Sequence, residues 1–289
     1  MATDILSTIH NQMGSFSKGQ RRIAQYIESS YDKAAFMTAS RLGKMVSVSE
    51  STVVRFAVEL GFDGYPSMQK ALQEMVRNKL TSVQRIEVTN DRLGDQDVVS
   101  MVLQADWESI RMTSEALDRR VLDQAVEAIL RAKNIYIVGV RSSAVIATFM
   151  SFYFRNIFDN VHLVSSSATS EMIEQMLHVS QGDVVIGISL PRYSSRTVQL
   201  MEFARDSGAE VVAITDSLEA PAAKRADHTL LAKSDMVSVV DSLVAPMSLV
   251  NALIVAIGRK KNDDLSQTFE TLEQIWDEYQ VYEKVEESH

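Results

Sequence analysis

The sequence predicts an all-α amino-terminal domain carrying a helix-turn-helix, followed by an α/β domain whose parallel sheet is covered by helices on both faces. Three observations predict it. The first 80 residues carry only helical periodicity and helix punctuation. From Asn134 onward, short β-branched runs alternate with amphipathic stretches, the pattern of parallel strands joined through crossover helices. The charge also changes sign between the two parts. Residues 1–90 hold 11 Lys+Arg against 8 Asp+Glu, a net +3, while residues 91–289 hold 18 against 30, a net −12.

Composition narrows the function classes. A chain that is 46% hydrophobic and 23% charged is globular in type. With no cysteine there is no disulfide framework, thiolate metal site or cysteine nucleophile. The start "MATDILSTIHNQMGSF" lacks the pattern of a signal peptide, and no apolar run reaches membrane-spanning length. A soluble cytoplasmic protein is expected, with no membrane partner, no cofactor and no metal-ligand spacing. A basic amino-terminal part in an acidic chain points to a polyanionic partner there.

In the amino-terminal part, Ser17 and Gln20 form a capping-box pattern ahead of Ile23, Tyr26, Ile27 and Ser30. "TASRLGKMV" is a short helix with Ala39, Leu42 and Val46 inward. "SVSESTVVRFAVELGF" follows: Ser49 caps a helix that buries Val53, Phe56 and Leu60, and Gly61 ends it. Pro66 suits the first turn of a helix carrying Met68, Leu72, Met75 and Val76. Residues 80–100 are polar with weak periodicity and are expected to be a linker. Helices are expected over 97–116 and 119–132. Strands are expected over 135–140, 161–166, 184–189, 211–216 and 228–233, separated by helices over 143–157, 170–178, 195–207 and 219–225. An apolar helix over 237–258 and an acidic helical tail close the chain.

Two short helices separated by Ser47 and Val48 make the helix-turn-helix. With Val53, Phe56 and Leu60 buried, Ser51, Thr52 and Arg55 form one polar patch near a helix N-terminus, where side chains reach base edges in the major groove. Arginine bonds guanine bidentately; serine and threonine reach bases or phosphate. Lys18, Arg21, Arg22, Arg41 and Lys44 are the expected phosphate contacts. A plain helical bundle with a solvated polar face is the competing reading. "KMVSVSESTVVRFAVELGFDGYPSMQKAL" resembles the helix-turn-helix of bacterial RpiR/MurR transcriptional regulators. Their V-S-x-x-T-V-x-R-F core, L-G-F and G-[FY] fall on Val48, Ser49, Thr52, Val53, Arg55, Phe56, Leu60, Gly61, Phe62, Gly64 and Tyr65. The turn position that is small or glycine in that family is Ser47 here. The DNA-binding set is Lys44, Ser49, Ser51, Thr52 and Arg55.

Ligands of open parallel sheets sit beyond the carboxyl ends of strands. Two strand-to-helix loops are rich in donors there: "GVRSSA" (Gly139–Ala144) and "SLPRYSSRT" (Ser189–Thr197), which contains no carboxylate. Each leads into a helix N-terminus, which favours a phosphate. Serines acting only as helix caps are the plainer alternative. The strand order is also similar to that of the sugar isomerase (SIS) domain that partners this helix-turn-helix in the RpiR/MurR family. The resemblance implies phosphosugar binding by a G-x-G-x-S loop and an S-x-S-G-x-T loop. The first falls on Gly139 and Ser143, with Arg141 in place of the second glycine. The second falls on Ser189, Ser194, Ser195, Arg196 and Thr197, with Ser195 in the glycine position and Pro191–Tyr193 inserted. Gly139, Arg141, Ser142, Ser143, Ser189, Arg192, Ser194, Ser195, Arg196 and Thr197 are the expected ligand residues. The three arginines suit a ligand more acidic than a hexose phosphate, such as a sugar-acid phosphate, unless they pair with Glu171, Glu174 or Asp216.

The resemblance implies a helix-turn-helix domain over 1–80, a linker and connecting helix over 81–118, a SIS phosphosugar-binding domain over 119–260 and a helical tail over 261–289. It also implies a ligand-responsive transcriptional regulator with a double-stranded DNA operator and a phosphorylated sugar or sugar-acid effector. A phosphosugar isomerase and a non-DNA-binding adaptor remain alternatives. An isomerase needs a base beside the carbonyl. The donor-rich loop has none, and Gln199 stands where some related isomerases carry a carboxylate. That leaves Glu171, Glu174, His178 and His228, each with an ordinary structural role open to it, so no catalytic residue is expected. Reading two half-sites needs a homodimer or homotetramer. The helices over 237–258 and 265–283, with Leu272, Ile275, Trp276 and Tyr279, are the expected subunit contacts.

Overall fold

The computed structural model describes residues 5–79, 81, 83–86, 97–234 and 240–283. The expected linker and the start of the helix expected at 237 lie partly outside these residues. The chain divides into two compact units: Met1–Ala105 with Asp235–Ser242, and Asp106–Ser234 with Leu243–His289.

The first unit is built from α1 (Ile5–Gln12), α2 (Lys18–Ser29), α3 (Tyr31–Ala34), α4 (Ala39–Met45), α5 (Glu50–Glu59) and α6 (Tyr65–Lys79). Local chemistry sets the boundaries. The Ser17 hydroxyl accepts from the Gln20 amide at 3.4 Å and the Gln20 side chain accepts from the Ser17 amide at 2.9 Å, a complete capping box. Thr38 and Ser49 cap α4 and α5 through the hydroxyl alone, accepting from the Arg41 and Thr52 amides. After α5, Gly61 and Gly64 adopt φ of +90° and +126°, angles that side chains strain to reach. Ile23, Ile27, Leu42, Val53, Phe56, Met68 and Leu72 are fully buried in one core. The Tyr65 hydroxyl and the Gln69 amide both donate to the Met37 carbonyl at 2.7 Å, tying α6 to the turn before α4. Burial pushes the Tyr65 phenol up to about 12.

The expected linker is not wholly irregular. Residues 83–86 form a turn of helix opened by a Thr81–Gln84 capping box. Their Arg85 is buried and ion-paired with Asp241 at 2.8 Å. Next, α7 (Val98–Ala116) runs across the division between the units.

The second unit contains α8 (Arg119–Arg131), β1 (Ile135–Gly139), α9 (Ser143–Phe154), β2 (Val161–Val164), α10 (Thr169–Gln175), β3 (Val184–Ile188), α11 (Ser195–Asp206), β4 (Glu210–Thr215), β5 (His228–Leu231), α12 (Val244–Lys260) and α13 (Asn262–Glu278). The five strands are all parallel, in the order β2-β1-β3-β4-β5. Side chains alternate across the sheet. Ile135, Ile137, Ile186 and Ile214 face the cluster formed with α8, α9 and α12, while Tyr136, Val138, Val185 and Val211 face the one formed with α10 and α11. Both faces are covered, so β1 and β3 read as continuous apolar runs.

Two expectations fail. The helix expected over 219–225 is a loop ending in one 3₁₀ turn at Ala223–Arg225; Pro221 and the Ser217 hydroxyl, which accepts from the Glu219 amide at 3.1 Å, favour turns over a continuous helix. The closing apolar helix starts at Val244, and residues 240–243 precede it without helical structure. Along α13, Leu272 and Trp276 are half-buried while Ile275 and Tyr279 are exposed. The Trp276 ring meets the edge of Tyr282, with centroids 5.3 Å apart.

Candidate functional site

In the first unit, α4, the turn at Val46–Ser49 and α5 form the helix-turn-helix. The turn is tight: a Cβ on Gly43 would stand 2.8 Å from the Val48 carbonyl oxygen. Ser47 takes φ +54°, the left-handed region that a small residue or glycine accommodates best. Its carbonyl accepts from Arg22 at 2.9 Å, so this arginine, expected on phosphate, also braces the turn. Ser49 lies within 2.9 Å of the Ser51 hydroxyl and 2.8 Å of the Thr52 hydroxyl. Arg55 donates from Nε to the Ser51 carbonyl at 3.2 Å, and its side chain is exposed. Lys44, Ser49, Ser51 and Arg55 are exposed and Thr52 is half-buried. Most of the resembling motif therefore serves the fold: Val53 and Phe56 are core, Phe56 meets Phe16 edge-on at 5.1 Å, and Gly61 and Gly64 turn the chain.

In the second unit, the strand order reverses direction between β1 and β3, the switch point at which open α/β sheets form their ligand crevice. The loops after these two strands are the donor-rich ones. Gly139 lets α9 close on the strand end: a Cβ there would stand 2.6 Å from the Ser143 carbonyl oxygen. Arg141, in place of the second glycine, takes φ +60°, and Arg192, within the insertion, takes φ +62°; both hold left-handed backbone. Arg141, Ser142, Arg192 and Ser195 are exposed, Ser194 and Arg196 are half-buried, and Ser143, Ser189 and Thr197 are buried.

Two features separate these serines from ordinary caps. Ser17, Thr38, Ser49 and Asp118 each accept a backbone amide from the helix they begin. Ser142 and Ser194, at the starts of α9 and α11, make no such bond. Ser189 Oγ and Thr197 Oγ1 are buried without a hydrogen-bond partner among the described residues. A buried hydroxyl in that state carries a desolvation penalty of about 1–3 kcal/mol. The opposite edge of the sheet is satisfied: Asp183 accepts from Asn134 and the Ser180 amide at 2.9 Å each, and Asp227 accepts from the Val211 amide at 2.8 Å.

The inserted Pro191–Tyr193 is anchored to the neighbouring strand. The Tyr193 hydroxyl donates to Asp216 at 2.9 Å, and the Thr215 hydroxyl donates to the Ser189 carbonyl at 2.7 Å. Arg196 donates to the Ser167 carbonyl at 2.8 Å, spanning from the β3–α11 loop to the β2–α10 loop. These braces, spread over separate loops, had no signal in the sequence pattern.

The residues weighed as a base are accounted for differently. Glu171 accepts a hydrogen bond from Ser166, and Glu174 and Gln199 are exposed. His178 precedes β3 and His228 opens β5, both on the amino side of the sheet, away from the donor loops. His228 Nε2 lies 2.7 Å from Glu210, which also pairs with Arg131 at 2.5 Å. Among the described residues no three His, Asp or Glu side chains gather as metal ligands, and no helix is long and apolar enough to cross a membrane.

Comparison with known proteins agrees with this architecture. Residues 3–79 match the helix-turn-helix domain of the rpiR family, and residues 128–256 match the SIS domain. The HTH-type transcriptional regulator HexR of Escherichia coli strain K12 is 27% identical over 280 residues, covering 94% of this chain and 95% of HexR. An HTH-type transcriptional regulator of Haemophilus influenzae is 28% identical over 230 residues, 79% of each chain. Among solved structures, the sugar isomerase domain of an RpiR transcription factor from Sphaerobacter thermophilus matches with a TM-score of 0.59 and 26% identity, covering 62% of this chain and 99% of that one. The Vibrio vulnificus NanR protein complexed with ManNAc-6P matches with a TM-score of 0.58 and 21% identity over 94% and 98% of the two chains.

Proposed function

The chain belongs to the rpiR family of helix-turn-helix transcriptional regulators that carry a SIS domain, and we propose that it senses a phosphorylated sugar or sugar acid at the carboxyl edge of its sheet and answers with altered operator binding. The observation that carries the proposal is the pair of hydroxyls on Ser189 and Thr197, buried without a partner among the described residues, beside two helix N-termini whose Ser142 and Ser194 make no capping bond. Free backbone amides and hydroxyl donors at such a point suit a phosphate. The ligand of NanR, a protein of similar fold, is of this chemical class.

Arg141 favours a second acidic group on the ligand, because guanidinium pairs bidentately with carboxylate as well as phosphate. A sensor is favoured over an isomerase because the β3–α11 loop carries no carboxylate and the two histidines weighed as bases, His178 and His228, lie at the amino end of the strands. Base reading falls to Arg55 and Ser51, with Thr52 beside them. A symmetric oligomer presents two such helices to two half-sites.

A thermal-shift screen of sugar phosphates and phosphorylated sugar acids on the full chain tests the reading. The expected result is a stabilising compound that alters binding to an in-vitro-selected operator and is recovered unchanged by NMR. Aldose–ketose interconversion lost on changing Glu171 would overturn the sensor. Operator binding that Arg55→Ala leaves intact would overturn the assignment of the reading helix.

A further inference from the structure

Two valines stand on the outer face of α5. At about 100° per residue, Val53, Phe56, Ala57 and Leu60 point one way and are buried. Ser51, Val54, Arg55 and Val58 point the other way, as two adjacent i,i+4 rows: Ser51 with Arg55, and Val54 with Val58. Val54 is 38% exposed and Val58 57%. Neither belongs to the buried cluster of this unit. β-Branched side chains are poorer helix formers than alanine or lysine, so helix stability does not explain them. What the position offers is the same surface that carries the polar reading residues.

In the major groove, thymine differs from the other bases by presenting a methyl group, and that group is read by apolar side chains. We propose that Val54 and Val58 are specificity-determining residues that pack on thymine methyl groups next to the bases read by Ser51 and Arg55. The proposal rests on the DNA-reading role of α5. It adds that the preferred half-site contains thymine at defined positions, recognised through the methyl alone.

The test begins with sites selected from random duplex DNA by the full chain. Each thymine is then replaced singly by deoxyuridine, which removes only the methyl. At one or two positions in each half-site, replacement should weaken wild-type binding about four-fold, the effect of burying one carbon. In Val54→Ala or Val58→Ala, the same replacement should change affinity by less than about 1.5-fold, because the partner methyls are gone. Both valines are exposed and alanine is the better helix former, so these variants fold; Val54→Thr keeps the shape and tests the chemistry. Uniform insensitivity to deoxyuridine, or valine variants that keep the wild-type sensitivity, would overturn the proposal. So would sedimentation showing that either alanine variant breaks up the oligomer, which would assign the valines to a contact between copies of the chain. Failure to enrich any sequence would instead sink the DNA-reading role itself.

Discussion

Arg85 and Asp241 are 156 positions apart, yet the guanidinium donates to the carboxylate at 2.8 Å, with the two side chains 2% and 17% exposed. A turn of helix within a polar stretch and a residue just ahead of α12 are thereby held together inside the first unit. Taking a cation out of water is expensive unless the partner is kept.

The first prediction follows from that asymmetry. Asp241→Leu removes this carboxylate from beside a buried guanidinium and should destabilise the first unit by about 3 kcal/mol. The double variant Arg85→Met with Asp241→Leu should recover most of the loss. Urea unfolding of the four proteins measures the coupling, and additive effects of the two changes would show that the pair contributes nothing as a pair.

Ser47 and Arg141 give a second prediction, because both hold left-handed backbone without being glycine. Such a conformation costs a side-chain-bearing residue about 1–2 kcal/mol. Glycine at either position should stabilise its unit by up to about 1 kcal/mol, after its larger entropy loss on folding. The two should then diverge in function. Ser47→Gly keeps the carbonyl that Arg22 holds, so operator binding should persist. Arg141→Gly should stabilise the protein while weakening binding of an acidic effector. Equal effector affinity after Arg141→Gly would make that residue a bystander.

Much of the fold was legible because local and global signals agree. Ser17 with Gln20, Ser49 and Gly61 mark helix ends through chemistry confined to a few residues. The strands announced themselves because a sheet covered on both faces needs uninterrupted apolar runs. What escaped depends on distant partners. Residues 83–86 look like linker until Asp241 is placed beside Arg85. The loop at 240–243 is as apolar at its end as the helix it precedes, so periodicity extended that helix too far. In the candidate site, the serines and arginines could be named from their loops. Which hydroxyls are buried, and which arginine is spent on a carbonyl as Arg196 is on Ser167, follows only from the packing of the loops.

A third prediction concerns acid. Burial raises the Glu210 carboxyl, but hydrogen bonds from His228 and Arg131 outweigh it and hold the group below its ordinary value of 4.5. A carboxylate depressed by folding contributes stability that is fully present above its unfolded pKa and is lost as pH falls through the folded one. Glu210→Gln should therefore be less stable than wild type at neutral pH, and the difference should shrink on acidification below about pH 4.5. Thermal melts between pH 3 and pH 7 would check this; a gap that stays constant over that window would mean Glu210 is not held by His228 and Arg131.

The last prediction rests on the hydroxyls of Ser189 and Thr197. Each is buried without a partner among the described residues, so in the free protein each carries a desolvation cost with no hydrogen bond in return. Removing such a group should not destabilise the protein: Ser189→Ala and Thr197→Val should melt at or slightly above the wild-type temperature. If the hydroxyls meet the effector, the same changes should weaken its binding by about 0.5–1.5 kcal/mol each, the net worth of a hydrogen bond. Opposite signs in the two measurements are the signature of a site kept ready for a ligand. A hydroxyl that serves the fold instead would lower the melting temperature and leave affinity unchanged. Calorimetry with the effector from the thermal-shift screen, alongside melts of the same two variants without it, separates the outcomes. Loss of stability with unchanged affinity in both variants would move the ligand away from the β3–α11 loop.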